Sequence, residues 1–126
     1  MRSASVCVHC GRALEFDRFH AGFSDQGYMY CDRDSTVVTW SSFDSTYSAL
    51  TENTHPWMLT AEAKRVVERS IVDCPCGGQF RFGNLPRCPH CGGELGSLAR
   101  EPTYYVIFER RIDGEVTSVW KSPGKL

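Results

Sequence analysis

No apolar run in these 126 residues approaches the ~18 that a helix needs to cross a bilayer. The opening stretch, MRSASVCVHCGRAL, has no apolar core of the kind a secretory leader carries. Both absences lead to the expectation of a soluble chain in the cytoplasm, where thiols stay reduced. Blocks of like charge are missing as well. Residues 1–59 hold four Arg against seven Asp and Glu, and residues 60–126 hold ten Lys and Arg against eight Asp and Glu. A nucleic-acid footprint is usually stronger than that. Catalytic signatures are also missing: there is no His-Glu-x-x-His, no Gly-x-Ser-x-Gly, no P-loop, and no His-x-Glu followed by Pro-Cys-x-x-Cys.

Against that background stand seven cysteines. Cys7 and Cys10, Cys74 and Cys76, and Cys88 and Cys91 form close pairs, and Cys31 stands alone. In a reducing compartment, pairs followed by glycine are better explained by metal than by disulfides. Cys7-Val8-His9-Cys10-Gly11 echoes Cys88-Pro89-His90-Cys91-Gly92. The first opens its cysteine group and the second closes its own, so a shared local geometry explains the echo better than tandem duplication.

The early part reads as β-rich, with short strands expected near 13–19, 27–31 and 36–40. DSTYSALT suits a short helix capped by Asp44, and Pro56 makes ENTHPW a loop. LTAEAKRVVERSIV is the best helix in the chain. Thr60 is its N-cap, and Ala63, Val66, Val67, Ser70 and Ile71 form one face. Farther on, Tyr104–Glu109 and Glu115–Trp120 flank Asp113-Gly114, a good hairpin turn.

In the late group, eleven residues separate Cys76 from Cys88. Two thiolates from one tight turn can grip an ion, and a second such pair completes a tetrahedron. The spacing resembles the zinc ribbon, in the broad rubredoxin-like group, over about 74–96. This resemblance implies one ion on Cys74, Cys76, Cys88 and Cys91, with the hairpin 103–120 extending the ribbon's sheet. The single residue between Cys74 and Cys76 departs from the family's usual two or more. Zinc is the expected metal, although iron uses the same four-thiolate set.

The early group offers Cys7, Cys10 and Cys31. In ribbon register, Cys31-x2 leads to Asp34, and a carboxylate oxygen is an accepted zinc ligand. His20, His9 or water are the rivals for that fourth place. Three cysteines and an open position would also be the pattern of a catalytic zinc.

The expected architecture is therefore α+β: a small metal-stabilised protein with two zinc-ribbon-like lobes, a connecting helix and a C-terminal β-hairpin. The expected divisions are 1–40, 41–73 and 74–126, with the Val66/Val67/Ile71 face between the lobes. The expected function is a non-catalytic zinc-binding adaptor for a protein partner, with aromatic residues such as Tyr28, Phe43 and above all Trp57 as contact candidates. The second reading is a nucleic-acid-binding ribbon of transcription or translation, using Arg81, Arg87, Arg100, Arg110 and Arg111 with Phe80, Phe82 and Tyr104. A zinc enzyme comes third, no small-molecule substrate or membrane is expected, and compactness suggests a bacterial source.

Overall fold

Strand β3 (Gln26–Cys31) has a core on each side. Side chains alternate along a strand, and here the alternation sorts them. Tyr30 packs with Leu14, Phe16, Tyr105 and Val106, whereas Met29 and Cys31 pack with Trp40, Tyr47, Val67 and Phe80. The computed structural model describes residues 2–21, 26–99, 103–108 and 119–121.

The first core is covered by a three-stranded antiparallel sheet of β1 (Arg2–Val6), β2 (Ala13–His20) and β6 (Tyr104–Ile107), in the order β1-β2-β6. Leu14 and Phe16 point inward from β2, as their alternation predicts. The strand runs past Arg18 because β6 pairs with it from Asp17 to His20. Phe19 also stacks on Tyr105, with ring centroids 5.6 Å apart. Nothing in the small, polar sequence RSASV announces β1; its pairing with β2 makes it a strand.

The second sheet has the order β4-β3-β5, with β4 (Val37–Ser41) and β5 (Phe80–Arg81) antiparallel to β3. Its far face carries helices α1 (Ser45–Thr51) and α2 (Ala61–Ser70). Both expected caps form. Asp44 Oδ1 accepts the N–H groups of Thr46 and Tyr47, and the Thr60 hydroxyl accepts that of Ala63. Val67 and Ile71 are buried in the second core beside Trp40 and Tyr47.

The arrangement is α+β, with two small sheets and two helices among the described residues. The described parts of the expected hairpin attach to different elements. Tyr104–Ile107 extends the first sheet, whereas Trp120 bridges Ile71 and Val119 accepts the N–H of Val72. The turn at Asp113-Gly114 lies outside the described residues.

The two sheets are joined by Tyr30, whose hydroxyl oxygen accepts the buried N–H of Val106 at 3.0 Å. Replacing Tyr30 with Phe leaves that donor without its acceptor and should cost about 1–3 kcal/mol. Urea unfolding of wild-type and Y30F protein, both metal-loaded, checks this; equal midpoints would mean the hydroxyl does not tie the sheets.

Candidate metal centres

Four short turns carry the cysteines, and three share one construction. In each, the first cysteine's N–H bonds the carbonyl five residues on: Cys7 to Arg12, Cys31 to Thr36, and Cys88 to Gly93, all at 2.9 Å. In each, the N–H two residues on points at the first sulfur: His9 to Cys7 at 3.4 Å, Arg33 to Cys31 at 3.3 Å, and His90 to Cys88 at 3.3 Å. The fourth turn is one residue shorter, and its bond runs from Cys74 to Gly78 at 3.0 Å. That shortening is the counterpart of the single residue between Cys74 and Cys76. Gly11 and Gly92 hold φ of +74° and +73°, a left-handed conformation strained for other residues, and so let the first and last turns close alike.

The turns meet in an order that differs from the expected one. Cys7 and Cys10 converge with Cys88 and Cys91, while Cys31 and Asp34 converge with Cys74 and Cys76; within each group the donor atoms all lie within 4.8 Å of one another. The sets expected from sequence, Cys7/Cys10/Cys31/Asp34 and Cys74/Cys76/Cys88/Cys91, are therefore wrong in their partition. The reason is topological. Cys7 directly follows β1 and Cys31 ends β3, strands of different sheets, so their turns point to different places. Strand β5 pairs beside Cys31 through Phe80, which brings Cys74 and Cys76 there instead. Asp32 seals that junction: its N–H bonds the Gln79 carbonyl, and its carboxylate accepts the Gln79 N–H.

The resulting groups are nested: the outer set joins the first and last turns, and the inner set joins the middle two. The internal echo acquires a meaning here, because the two Cys-x-His-Cys-Gly turns face each other across one centre.

Spacing within the sets fits a tetrahedral ion. A tetrahedron with metal–sulfur bonds of ~2.3 Å has edges of about 3.8 Å. Cys7 and Cys91 sulfurs lie 3.7 Å apart, and those of Cys10 and Cys88 lie 3.8 Å apart. Replacing one sulfur by carboxylate oxygen shortens the mixed edge to about 3.6 Å. The Cys74 sulfur lies 3.5 and 3.6 Å from the two Asp34 oxygens, and Cys31 and Cys76 sulfurs are 3.5 Å apart. A disulfide needs sulfurs at ~2.05 Å, and all seven cysteines are free. Both groups could therefore hold a metal ion. The all-thiolate set, which iron would also suit, is Cys7/Cys10/Cys88/Cys91.

Asp34 occupies the second ligand position of its turn, and the Thr36 N–H fixes its carboxylate at 2.9 Å. Burial works against its charge, but the Thr36 contacts and the neighbouring thiols hold its pKa below the ordinary carboxylate value. The two histidines considered for this place are elsewhere. His9 Nε2 contacts the Glu94 carbonyl at 2.7 Å, and His20 packs edge-on against Tyr104.

The thiols differ in environment. Hydrogen bonding from the Cys10 backbone leads the effects that bring Cys7 down to about 6. Cys91 is held up at about 11: the Gly93 N–H favours its thiolate, but burial and the three neighbouring sulfurs outweigh it. Burial is the largest cause raising Cys31 and Cys74. In each set, one member of each contributing turn is buried in a hydrophobic core: Cys7 and Cys88 in the first, Cys31 and Cys74 in the second.

The sequence model of one family, Domain of unknown function (DUF8255), matches residues 3–96. The chain belongs to that family. The match spans all eight donors, from Cys7 to Cys91, and ends before β6. No curated protein matches the chain, and no solved structure does.

Nesting has an energetic consequence where metal loading and folding are coupled. With the inner set open, the outer set closes a loop of ~80 residues; with the inner set closed, the free path is ~35, a difference of about 0.7 kcal/mol or roughly three-fold in affinity. Asp34→Ala should weaken the inner ion by at least ~100-fold, since changes around ligands alone cost 10–100-fold. It should also weaken the outer ion by about three-fold. Competition with a chromophoric chelator reads both; unchanged affinity at the inner set would remove Asp34 as a ligand. A second test uses Gly78, where an added Cβ would sit 2.5 Å from the Cys31 sulfur. Gly78→Ala should loosen the inner ion and spare the outer one apart from the three-fold coupling.

Proposed function

We propose that this protein is a zinc-dependent, non-catalytic adaptor that presents its surface to a protein partner. The supporting observation is the completeness of both donor sets. Each has four protein ligands, so neither needs the open fourth position on which zinc enzymes bind water or substrate. The three-cysteine set that sequence offered as a catalytic alternative is divided between two centres by the fold. Zinc is preferred over iron because the inner set includes a carboxylate, a common zinc donor. Two turns from distant parts of the chain face each other at each donor set, which supports reading the sets as ribbon-like centres.

Surface apolar residues support the adaptor reading. Val8, Phe43 and Met58 are 81%, 77% and 74% exposed. Many other aromatic residues are committed to packing: Tyr30, Trp40, Tyr47 and Tyr105 are buried. The side chain of Trp57 lies outside the described residues.

The nucleic-acid reading draws less support. Phe80 is buried in the second core, which corrects its expected role as a stacking residue. Arg87 is bound to the Gly92 carbonyl and to Glu94. Arg100, Arg110 and Arg111 lie outside the described residues.

Two measurements test the proposal. Elemental analysis with native mass spectrometry should give two zinc ions per chain, both removed by acid with loss of cooperative folding; a chain folded without metal would overturn the zinc dependence. A photo-crosslinking residue at Phe43 or Met58 should give a discrete protein adduct in cells. Recovery of RNA or DNA in place of protein would favour the second reading.

A further inference from the structure

Helix α2 and strand β5 border a cavity of about 350 Å³ whose lining includes Arg65, Arg69, Arg81 and Lys121 against Glu68 and Asp73. The chain as a whole has a net charge of −1, so this is a local reversal of sign. The two carboxylates are already engaged. Glu68 accepts the N–H of Phe82 at 2.9 Å, and Asp73 pairs with Lys121 at 3.9 Å. Arg81 donates to the Gln79 side-chain carbonyl. Arg65 and Arg69 have no carboxylate partner among the described residues, although they lie four residues apart on one helix face, where like charges repel. Arg69 is in the last turn of α2, where a cation suits the helix dipole. That accounts for Arg69, but not for Arg65 or for Arg81 across the cavity.

We infer that this groove binds an acidic segment of a protein partner, with Arg65, Arg69 and Arg81 receiving its carboxylates. Guanidinium groups present paired donors that match carboxylates two at a time. The lining also distinguishes a peptide from a nucleic acid. A peptide offers N–H donors as well as carboxylates, and Glu68 and Asp73 can receive them on the second oxygen that each keeps beside its present contact. A phosphodiester strand offers negative charge continuously and would be repelled by both. The aromatic residue at the groove, Phe80, is buried and gives bases no platform for stacking. This inference rests on the adaptor reading and names the chemistry of its partner.

Fluorescence anisotropy of a labelled decapeptide of alternating Glu and Ala, against metal-loaded full-length protein at low salt, tests it. Binding is expected to weaken at least ten-fold in the double variant Arg65→Glu/Arg69→Glu, and to be unchanged in Arg18→Glu on the first sheet. Both variants must keep the wild-type metal content and far-UV spectrum. If charge reversal unfolds the protein, Arg65→Gln/Arg69→Gln is used, with a smaller loss expected in the same order. No peptide binding by the loaded wild type would overturn the inference, as would equal losses in the groove and Arg18 variants. Tighter binding of a single-stranded oligonucleotide through Arg65 and Arg69 would also overturn it. A protein adduct at Phe43 or Met58 without peptide binding would leave the adaptor standing and remove this groove as its recognition site.

Discussion

Eight anionic or potentially anionic donors gathered into two groups of four are the constraint on which this structure turns. Within each group every donor atom is within 4.8 Å of the others. Four such donors do not all ionise at that distance without a cation, because like charges so close together repel. A divalent ion held there would resolve the conflict and convert repulsion into a crosslink. Backbone N–H groups aimed at Cys7, Cys31, Cys76, Cys88 and Cys91 prepare the sulfurs for negative charge.

Each group is anchored in a different hydrophobic core, and β3 runs between the cores. With an ion bound, the outer set would fasten the β1–β2 turn to the turn at residues 88–93, next to the core under the first sheet. The inner set would likewise fasten the β3–β4 turn to the turn before β5, next to the core under the helices. A chain of this size has limited apolar surface to bury. Each of its two small cores includes cysteines of one donor set, so a bound ion would reinforce the packing. Phe43, Met58 and the arginine-lined groove lie at the surface, outside these two cores.

Local chemistry was largely legible in the residues. Asp44 and Thr60 announced helix starts because a short polar side chain before an apolar pattern satisfies otherwise unpaired N–H groups. The strands near 13–19, 27–31 and 36–40 followed from alternation and β-branched content, and Asp34 was visible from its ligand register after Cys31. Features that depended on distant partners were hidden. β1 has no intrinsic strand signal, β2 is prolonged by β6, and Trp120 pairs with Ile71. The Arg65, Arg69 and Arg81 groove joins a helix to a strand and has no signature in either.

The sequence by itself determined the types of candidate donor, the tight turns that present them and the α+β class. These follow from spacing, glycine placement and side-chain periodicity over a few residues. Which turn meets which was decided only by tertiary structure. Every turn can supply two donors of similar geometry, so local spacing leaves several pairings equally good. The choice falls to the sheets: β5 hydrogen-bonds beside Cys31 and delivers Cys74 and Cys76 to it, and the last turn is left to close on the first.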